Sequence, residues 1–85
     1  MKIKYFAWLK NITKTDSEEI NSNDIKDIKD ILSLKNYLCK KYPKLKTHIK
    51  NDDIIRFAIN LEYHSDNKSL SKNDEVALFP PVSGG

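Results

Sequence analysis

The sequence predicts an α+β domain in which one main helix packs on a mixed β-sheet. Three observations lead to this prediction: alternating residues at 2–9, aliphatic residues at helical spacing over 25–42, and an apolar strand at 75–79. With the shorter extended segments between them, they give the order strand, strand, helix, strand, short strand, strand. That order is typical of an α+β domain. The 85 residues suffice for one domain with a modest core.

The first strand is predicted at residues 2–9 because its residues alternate with period two. The face expected to join the core carries Ile3, Tyr5, Ala7 and Leu9. Phe6 and Trp8 lie on the other face beside lysines, where aromatic rings are unexpected unless a partner or the chain's own loops cover them. Residues 11–16 are polar and turn-like, and residues 17–21 can form a second strand, which makes the opening a hairpin.

The main helix is predicted from aliphatic residues that recur at spacings of three and four. They are Ile25, Ile28, Ile31, Leu34 and Leu38. Asn23 or Asp24 could begin a long helix, or Asp30 could cap a shorter one. We favour a helix that begins by Ile28 and continues to Lys41, since Pro43 disfavours helical geometry in the residue before it.

The second half of the chain contains the remaining strands. A charged loop at residues 44–53, anchored by Leu45 and Ile49, leads to a strand at residues 54–59. Asn60-Leu61 resembles a tight turn, because asparagine tolerates left-handed backbone geometry, and residues 62–64 would return antiparallel. Residues 65–73 are predicted to form a polar loop that Leu70 anchors.

Neither composition nor motifs suggest an autonomous enzyme. The single Cys39 excludes a disulfide framework and is expected to be a buried apolar residue. His48 and His64 have no local constellation of cysteines or acids around them, so we expect surface histidines and no metal site. The net charge of +3 comes from lysines interleaved with acids, which does not favour nucleic-acid binding. No apolar run approaches the ~20 residues of a membrane span and no signal peptide is evident, so a cytoplasmic protein is expected.

The C-terminal tail is the most informative stretch. Both glycines of the chain are Gly84 and Gly85, so glycine serves no internal turn. Pro80-Pro81 should end the last strand, because proline cannot donate to the sheet. The predicted division is a domain at 1–81 and an extended tail at 82–85, in which Val82 and Ser83 lead to the glycines. A glycine pair without Cβ atoms fits a narrow channel and presents an unhindered carboxylate. The alternative is a frayed or foreign chain end.

The stretch Asp74-Glu75-Val76-Ala77-Leu78-Phe79-Pro80-Pro81-Val82-Ser83-Gly84-Gly85 resembles the end of the MoaD family, the small, sulfur-carrier subunits of molybdopterin synthase. Lys4-Tyr5-Phe6-Ala7 resembles that family's first strand. The resemblance implies a β-grasp, or ubiquitin-like, fold with the first and last strands adjacent and parallel in the middle of the sheet. Asn73 stands where the family commonly has glycine, and we expect the turn to be kept at positive φ. Residues 22–29 resemble a small insertion.

The resemblance also implies a mechanism and partners. A ubiquitin-activating-like adenylating enzyme would use ATP to activate Gly85, and a sulfur donor protein would convert it to a thiocarboxylate. Pro80, Pro81, Val82, Ser83 and Gly84 would enter a channel in the large subunit of the heterotetrameric synthase. There the sulfur would pass to cyclic pyranopterin monophosphate. Phe6, Trp8 and Phe79 would form the partner interface, and the chain itself would bind no cofactor.

Three other functions are compatible with parts of the pattern. A sulfur carrier for thiamine synthesis or tRNA thiolation would share the fold and the Gly-Gly end, although Phe-Pro-Pro-Val-Ser favours the molybdopterin branch. A ubiquitin-type modifier would form isopeptide bonds with lysines. A non-conjugating interaction module would need no free Gly-Gly end.

Overall fold

The computed structural model describes residues 1–51, 54–64 and 66–81. In chain order the elements are β1 (Lys2–Tyr5), α1 (Leu9–Thr13), β2 (Ser17–Glu19), α2 (Ser22–Ile25), α3 (Ile31–Lys41), a π-helical turn (Thr47–Asn51), β3 (Arg56–Ile59), β4 (Glu62–His64) and β5 (Glu75–Phe79). The five strands form one sheet in the order β2-β1-β5-β3-β4. β1 and β5 are parallel and central, and the other pairs are antiparallel, so the predicted mixed sheet with one main helix is confirmed.

The first strand is shorter than the alternation predicted. β1 ends at Tyr5, and Ala7 adopts a left-handed conformation with φ of 53°. The chain therefore turns, Ala7 is exposed instead of facing the core, and Leu9 is buried as the first residue of α1. α1 also replaces the first half of the loop predicted at 11–16. β1 and β2 still pair antiparallel, as the hairpin prediction required.

The aliphatic residues whose spacing predicted the main helix are divided between two helices. α2 is a single turn capped by Asn21, and α3 begins only at Ile31. Asp30 and Ser33 form a reciprocal capping box: the Ser33 N–H donates to the Asp30 carboxylate, and the Asp30 N–H donates to the Ser33 hydroxyl. A helix start by Ile28 is thus wrong, and the shorter helix capped by Asp30 is the one observed. The end at Lys41 is confirmed.

The core lies between α3 and one face of the sheet. Its fully buried side chains are Ile3, Leu9, Leu34, Leu38, Leu45, Val76 and Leu78, with Tyr5 nearly so. Leu45, Ile49 and Leu70 are buried, as expected of residues that anchor loops. Cys39 is buried beside them, in agreement with its interpretation as an apolar residue.

Two turns set the geometry of the second half of the sheet. Asn60 and Leu61 have φ values of 50° and 73°, which gives the predicted two-residue hairpin between β3 and β4. The Asn60 carboxamide also accepts from the Glu75 N–H at 3.0 Å and so ties this turn to the start of β5. Residues 71–74 do form a turn, closed by the Asp74 N–H on the Ser71 carbonyl. Asn73 does not have positive φ, so that part of the prediction is wrong.

Candidate functional site

Three aromatic rings cluster on the sheet face opposite α3. Phe6 and Phe79 stack with ring centroids 4.6 Å apart and planes inclined by 9°. Tyr63 adds an inclined ring whose centroid is 5.5 Å from that of Phe79. Phe6 is 41% exposed and Tyr63 is 68% exposed. We call Phe6, Tyr63 and Phe79 the aromatic patch.

Strand register explains why the rings meet. Phe6 lies one residue beyond β1, and its N–H continues the parallel ladder by donating to the Leu78 carbonyl at 3.1 Å. Tyr63 is directly opposite Ala58, and Ala58 is directly opposite Ala77. Directly opposed residues point to the same face of a sheet. The face opposite α3 therefore has small alanines at its centre and aromatic rings at its rim.

The sequence prediction placed two of these rings correctly and missed the third. Phe6 and Phe79 lie together as expected. Tyr63 was overlooked, although the two-residue turn at Asn60-Leu61 fixes its register against Ala58 and hence its face. The alternation of residues 62–64 was the signal that could have identified it.

Among the described residues, the ring contact of Trp8 is with His48 and not with the aromatic patch. Its indole packs edge-on against the His48 ring, with centroids 4.9 Å apart and planes inclined by 67°. The left-handed Ala7 is the physical reason, because it breaks the alternation that would have put Trp8 beside Phe6. Trp8 remains 38% exposed, and it links the β1–α1 loop to the π-helical turn. His48 is therefore half-buried against a ring and is not a plain surface histidine.

The two prolines that precede the predicted C-terminal tail follow the aromatic patch directly along the chain. β1 and β5 are parallel, so their carboxyl ends lie at the same end of the sheet. Pro80 is half-buried next to Phe79, and Pro81 is exposed. No strand continues into these two prolines, as predicted. Val82, Ser83, Gly84 and Gly85, the predicted tail and reactive end, lie outside the described residues.

A network of polar side chains lies at the β2 edge of the sheet. The Glu18 carboxylate accepts from the Tyr5 hydroxyl at 2.7 Å, and also from the Tyr42 hydroxyl and the Lys41 ammonium. Burial raises the pKa of Glu18, but the hydrogen bonds from Lys41, Tyr42 and Tyr5 outweigh it and leave that pKa below its usual value. Burial, followed by the hydrogen bond to Glu18, raises the pKa of Tyr42 to about 12. At neutral pH the network therefore contains an ionised Glu18, a protonated Lys41 and two neutral tyrosine hydroxyls, and it joins β2 to the end of α3.

Metal ligation, thiol reactivity and cavities can be assessed for the described residues. Among them, no three His, Cys, Asp or Glu side chains are placed to hold a metal ion. Burial raises the pKa of the Cys39 thiol, which disfavours the reactive thiolate. His64 lines a surface cavity of about 460 Å³ between α3 and β3, on the face away from the aromatic patch. No helix in the described ranges is both long and apolar enough to cross a membrane.

The sequence of the chain is similar to those of known proteins over nearly its whole length. The model of the ThiS family matches residues 3–85. The chain belongs to the ThiS family. A molybdopterin synthase sulfur carrier subunit of Chlamydomonas reinhardtii is 30% identical over 100% of this chain and 98% of its own. One from Dictyostelium discoideum is 31% identical over 99% of this chain and 94% of its own.

Solved structures place this member of the ThiS family in the same fold as a ubiquitin-like protein. SAMP1 (small archaeal modifier protein 1) of Haloferax volcanii superposes with a TM-score of 0.77 at 27% identity. The match covers 99% of this chain and 97% of that protein. The β-grasp fold is thereby confirmed.

Proposed function

We propose that this ThiS-family chain is the sulfur-carrier subunit of molybdopterin synthase, with the Gly85 carboxylate as the group that carries sulfur. The observation that carries the proposal is full-length similarity to two sulfur carrier subunits, combined with a Pro-Pro-Val-Ser-Gly-Gly end that follows the central strand. The aromatic patch at the base of that end supports it as well. Such a patch provides docking area where the tail would enter a partner.

The chemistry follows from the weakness of a carboxylate as an electrophile. In the first step the Gly85 carboxylate attacks the α-phosphorus of ATP on an adenylating enzyme and expels pyrophosphate. The terminal sulfur of a donor persulfide then attacks the acyl carbon and expels AMP, which leaves an acyl disulfide. A second thiol attacks the outer sulfur of that acyl disulfide, and the products are the Gly85 thiocarboxylate and a disulfide of the two thiols.

The thiocarboxylate sulfur is then transferred within the synthase. The tail, from Pro80 to Gly85, enters the large subunit, and the aromatic patch docks outside the channel. The sulfur is added to cyclic pyranopterin monophosphate, and water restores the Gly85 carboxylate. Because a dithiolene contains two sulfurs, two carriers that bear the Gly85 thiocarboxylate are consumed for each molybdopterin. The proposed role is that of a cytoplasmic, sulfur-donating subunit of the synthase and not that of an autonomous enzyme.

Intact mass spectrometry tests the first half of this proposal. The chain, with Gly85 as its last residue, is incubated with the adenylating enzyme of the same genome, ATP and a persulfide donor. We expect the mass gain of one oxygen exchanged for one sulfur, localised to Gly85 by fragmentation. A chain that lacks Gly85 is the control. If the mass of the intact chain stays unchanged under conditions that convert a known sulfur carrier to its thiocarboxylate, the proposal is contradicted.

A protein modifier is the second candidate function, and one observation favours it. The structural neighbour from Haloferax volcanii is SAMP1, the abbreviation of small archaeal modifier protein 1. A modifier would use the same adenylated Gly85 but would pass the acyl group to lysine amines. Covalent conjugates of higher mass on denaturing gels, with Gly85 attached to a lysine of another protein, would distinguish this function from sulfur transfer.

A further inference from the structure

A lysine-lined surface cavity lies beside the second half of α3. Its volume is about 360 Å³, and its lining residues are Asn36, Cys39, Lys40, Lys46 and Lys50. We call this the lysine pocket. None of its lining side chains is acidic, and none of its lysines has an ion pair within the described ranges. By contrast, Lys4 and Lys41 are both paired with glutamates.

The lysine pocket is connected to the aromatic patch through the fold. Lys46 and Lys50 flank His48 in sequence, and His48 packs against Trp8. Trp8 is two residues from Phe6, which stacks on Phe79. The segment that carries Lys46 and Lys50 is therefore in contact, through His48, with the loop that follows Phe6.

We infer that the lysine pocket binds an acidic segment of a protein that docks on this chain. The occupant is a run of Asp or Glu side chains, and its carboxylates pair with the ammonium groups of Lys40, Lys46 and Lys50. The identification of that protein as the adenylating enzyme or the large subunit rests on the proposed function, whereas binding of an acidic segment does not. Charged groups at an interface chiefly raise the association rate and the specificity.

The chemistry of the pocket favours carboxylates over other anions. A small phosphate seated on the floor would meet the carboxyl-terminal half of α3, where the helix dipole is negative. Lysine ammonium groups on long stems can instead pair with carboxylates at the rim, away from the helix end. Nucleic-acid sites combine cations with stacking aromatic rings. The lining of the lysine pocket contains neither an aromatic ring nor an arginine.

The test is an NMR titration of the full chain with hexaglutamate. We expect amide shifts localised to the lysine pocket that saturate and that weaken at high ionic strength. The triple variant K40Q/K46Q/K50Q should bind at least about fivefold more weakly, since each exposed ion pair contributes modestly. The matched control is K2Q/K68Q/K72Q, which removes the same charge from exposed lysines elsewhere, and it should retain the pocket shifts.

Parallel titrations use hexaglutamine, inorganic phosphate and an oligothymidylate. Equal weakening in both triple variants would overturn the inference, because the effect would then be one of net charge. Shifts spread over the whole surface, or stronger pocket binding by phosphate or oligothymidylate than by hexaglutamate, would also overturn it. None of these readings depends on adenylation or sulfur transfer, so their failure is distinguishable from failure of the proposed function.

Discussion

Phe6 and Phe79 stack across the two parallel central strands, with ring centroids 4.6 Å apart. The stack stands where the chain leaves the sheet towards its C-terminal tail, and it is on the opposite face from α3. Leu78, the residue before Phe79, is fully buried on the α3 face. Neighbouring positions of β5 thus face opposite sides of the sheet, and the proposed roles are docking for Phe79 and core packing for Leu78.

The first prediction separates these two roles. Phe79→Ala and Phe6→Ala should each weaken binding to the synthase large subunit by about 2 kcal/mol or more, as for aromatic hot spots. That loss is a roughly thirtyfold rise in Kd. Leu78→Ala should instead lower the free energy of unfolding by about 2–5 kcal/mol through a core cavity. Calorimetric binding and urea unfolding of all three variants check this. The assignment of faces is wrong if Phe79→Ala unfolds the domain while Leu78→Ala impairs only docking.

The second prediction concerns Tyr63, which the sequence did not reveal as part of the patch. Tyr63→Ala should change the free energy of unfolding little, because the side chain is 68% exposed, yet it should weaken docking at least several-fold. Glu62→Ala is the matched control, since Glu62 is exposed on the same strand and points to the other face. Equal affinity of the two variants for the large subunit would show that the docking surface does not include Tyr63.

The difference between the predicted and observed patch has a local cause. Period two in residues 2–9 correctly gave buried Ile3 and Tyr5 and exposed Phe6. It failed beyond Phe6 because Ala7 adopts positive φ, a conformation that its sequence context does not signal. Trp8 consequently contacts His48, a pairing between segments forty residues apart that no local pattern could show.

The start of the main helix shows the same limit. Pro43 made the end of α3 predictable, whereas Ile25 and Ile28 continue the apolar row and so extended the helix wrongly. The observed start depends on the Asp30–Ser33 capping box and on the Asn67 carboxamide, which accepts from the Leu32 N–H at 2.8 Å. The tail motif and the existence of strands near both ends of the chain, in contrast, follow from residue types, whereas the central, parallel pairing of β1 and β5 was an expectation from the family resemblance.

The third prediction concerns the Glu18 network. Glu18→Gln should lower the free energy of unfolding at neutral pH by about 1–3 kcal/mol, because hydrogen bonds to a charged acceptor become neutral ones. The lowered pKa of Glu18 means that its contribution is present above the unfolded value near 4.5 and is lost as pH falls through the folded pKa. Urea unfolding from pH 7 to pH 3 should therefore show the two proteins converging in acid. A constant difference at every pH would contradict this account of Glu18.

The fourth prediction concerns the β3–β4 turn. Leu61 has φ of 73° and is 88% exposed, and glycine is preferred at the second position of such a hairpin turn. Leu61→Gly should therefore raise the free energy of unfolding by about 1 kcal/mol, because it removes the cost of left-handed geometry. Leu61→Ala keeps that cost and should change stability little. Thermal unfolding of both variants decides this, and equal stability of the two would show that the turn is not strained.

The central claim is that Gly85 must be the free, sulfur-bearing end, and the most direct measurement is molybdopterin formation in single turnover. Chain charged as the Gly85 thiocarboxylate is mixed with the large subunit and cyclic pyranopterin monophosphate. We expect one molybdopterin for every two thiocarboxylates consumed. Chain extended by one residue beyond Gly85 should form none, although its unfolding temperature is unchanged. Equal product from the extended chain, shown by mass spectrometry to be unprocessed, would contradict the account.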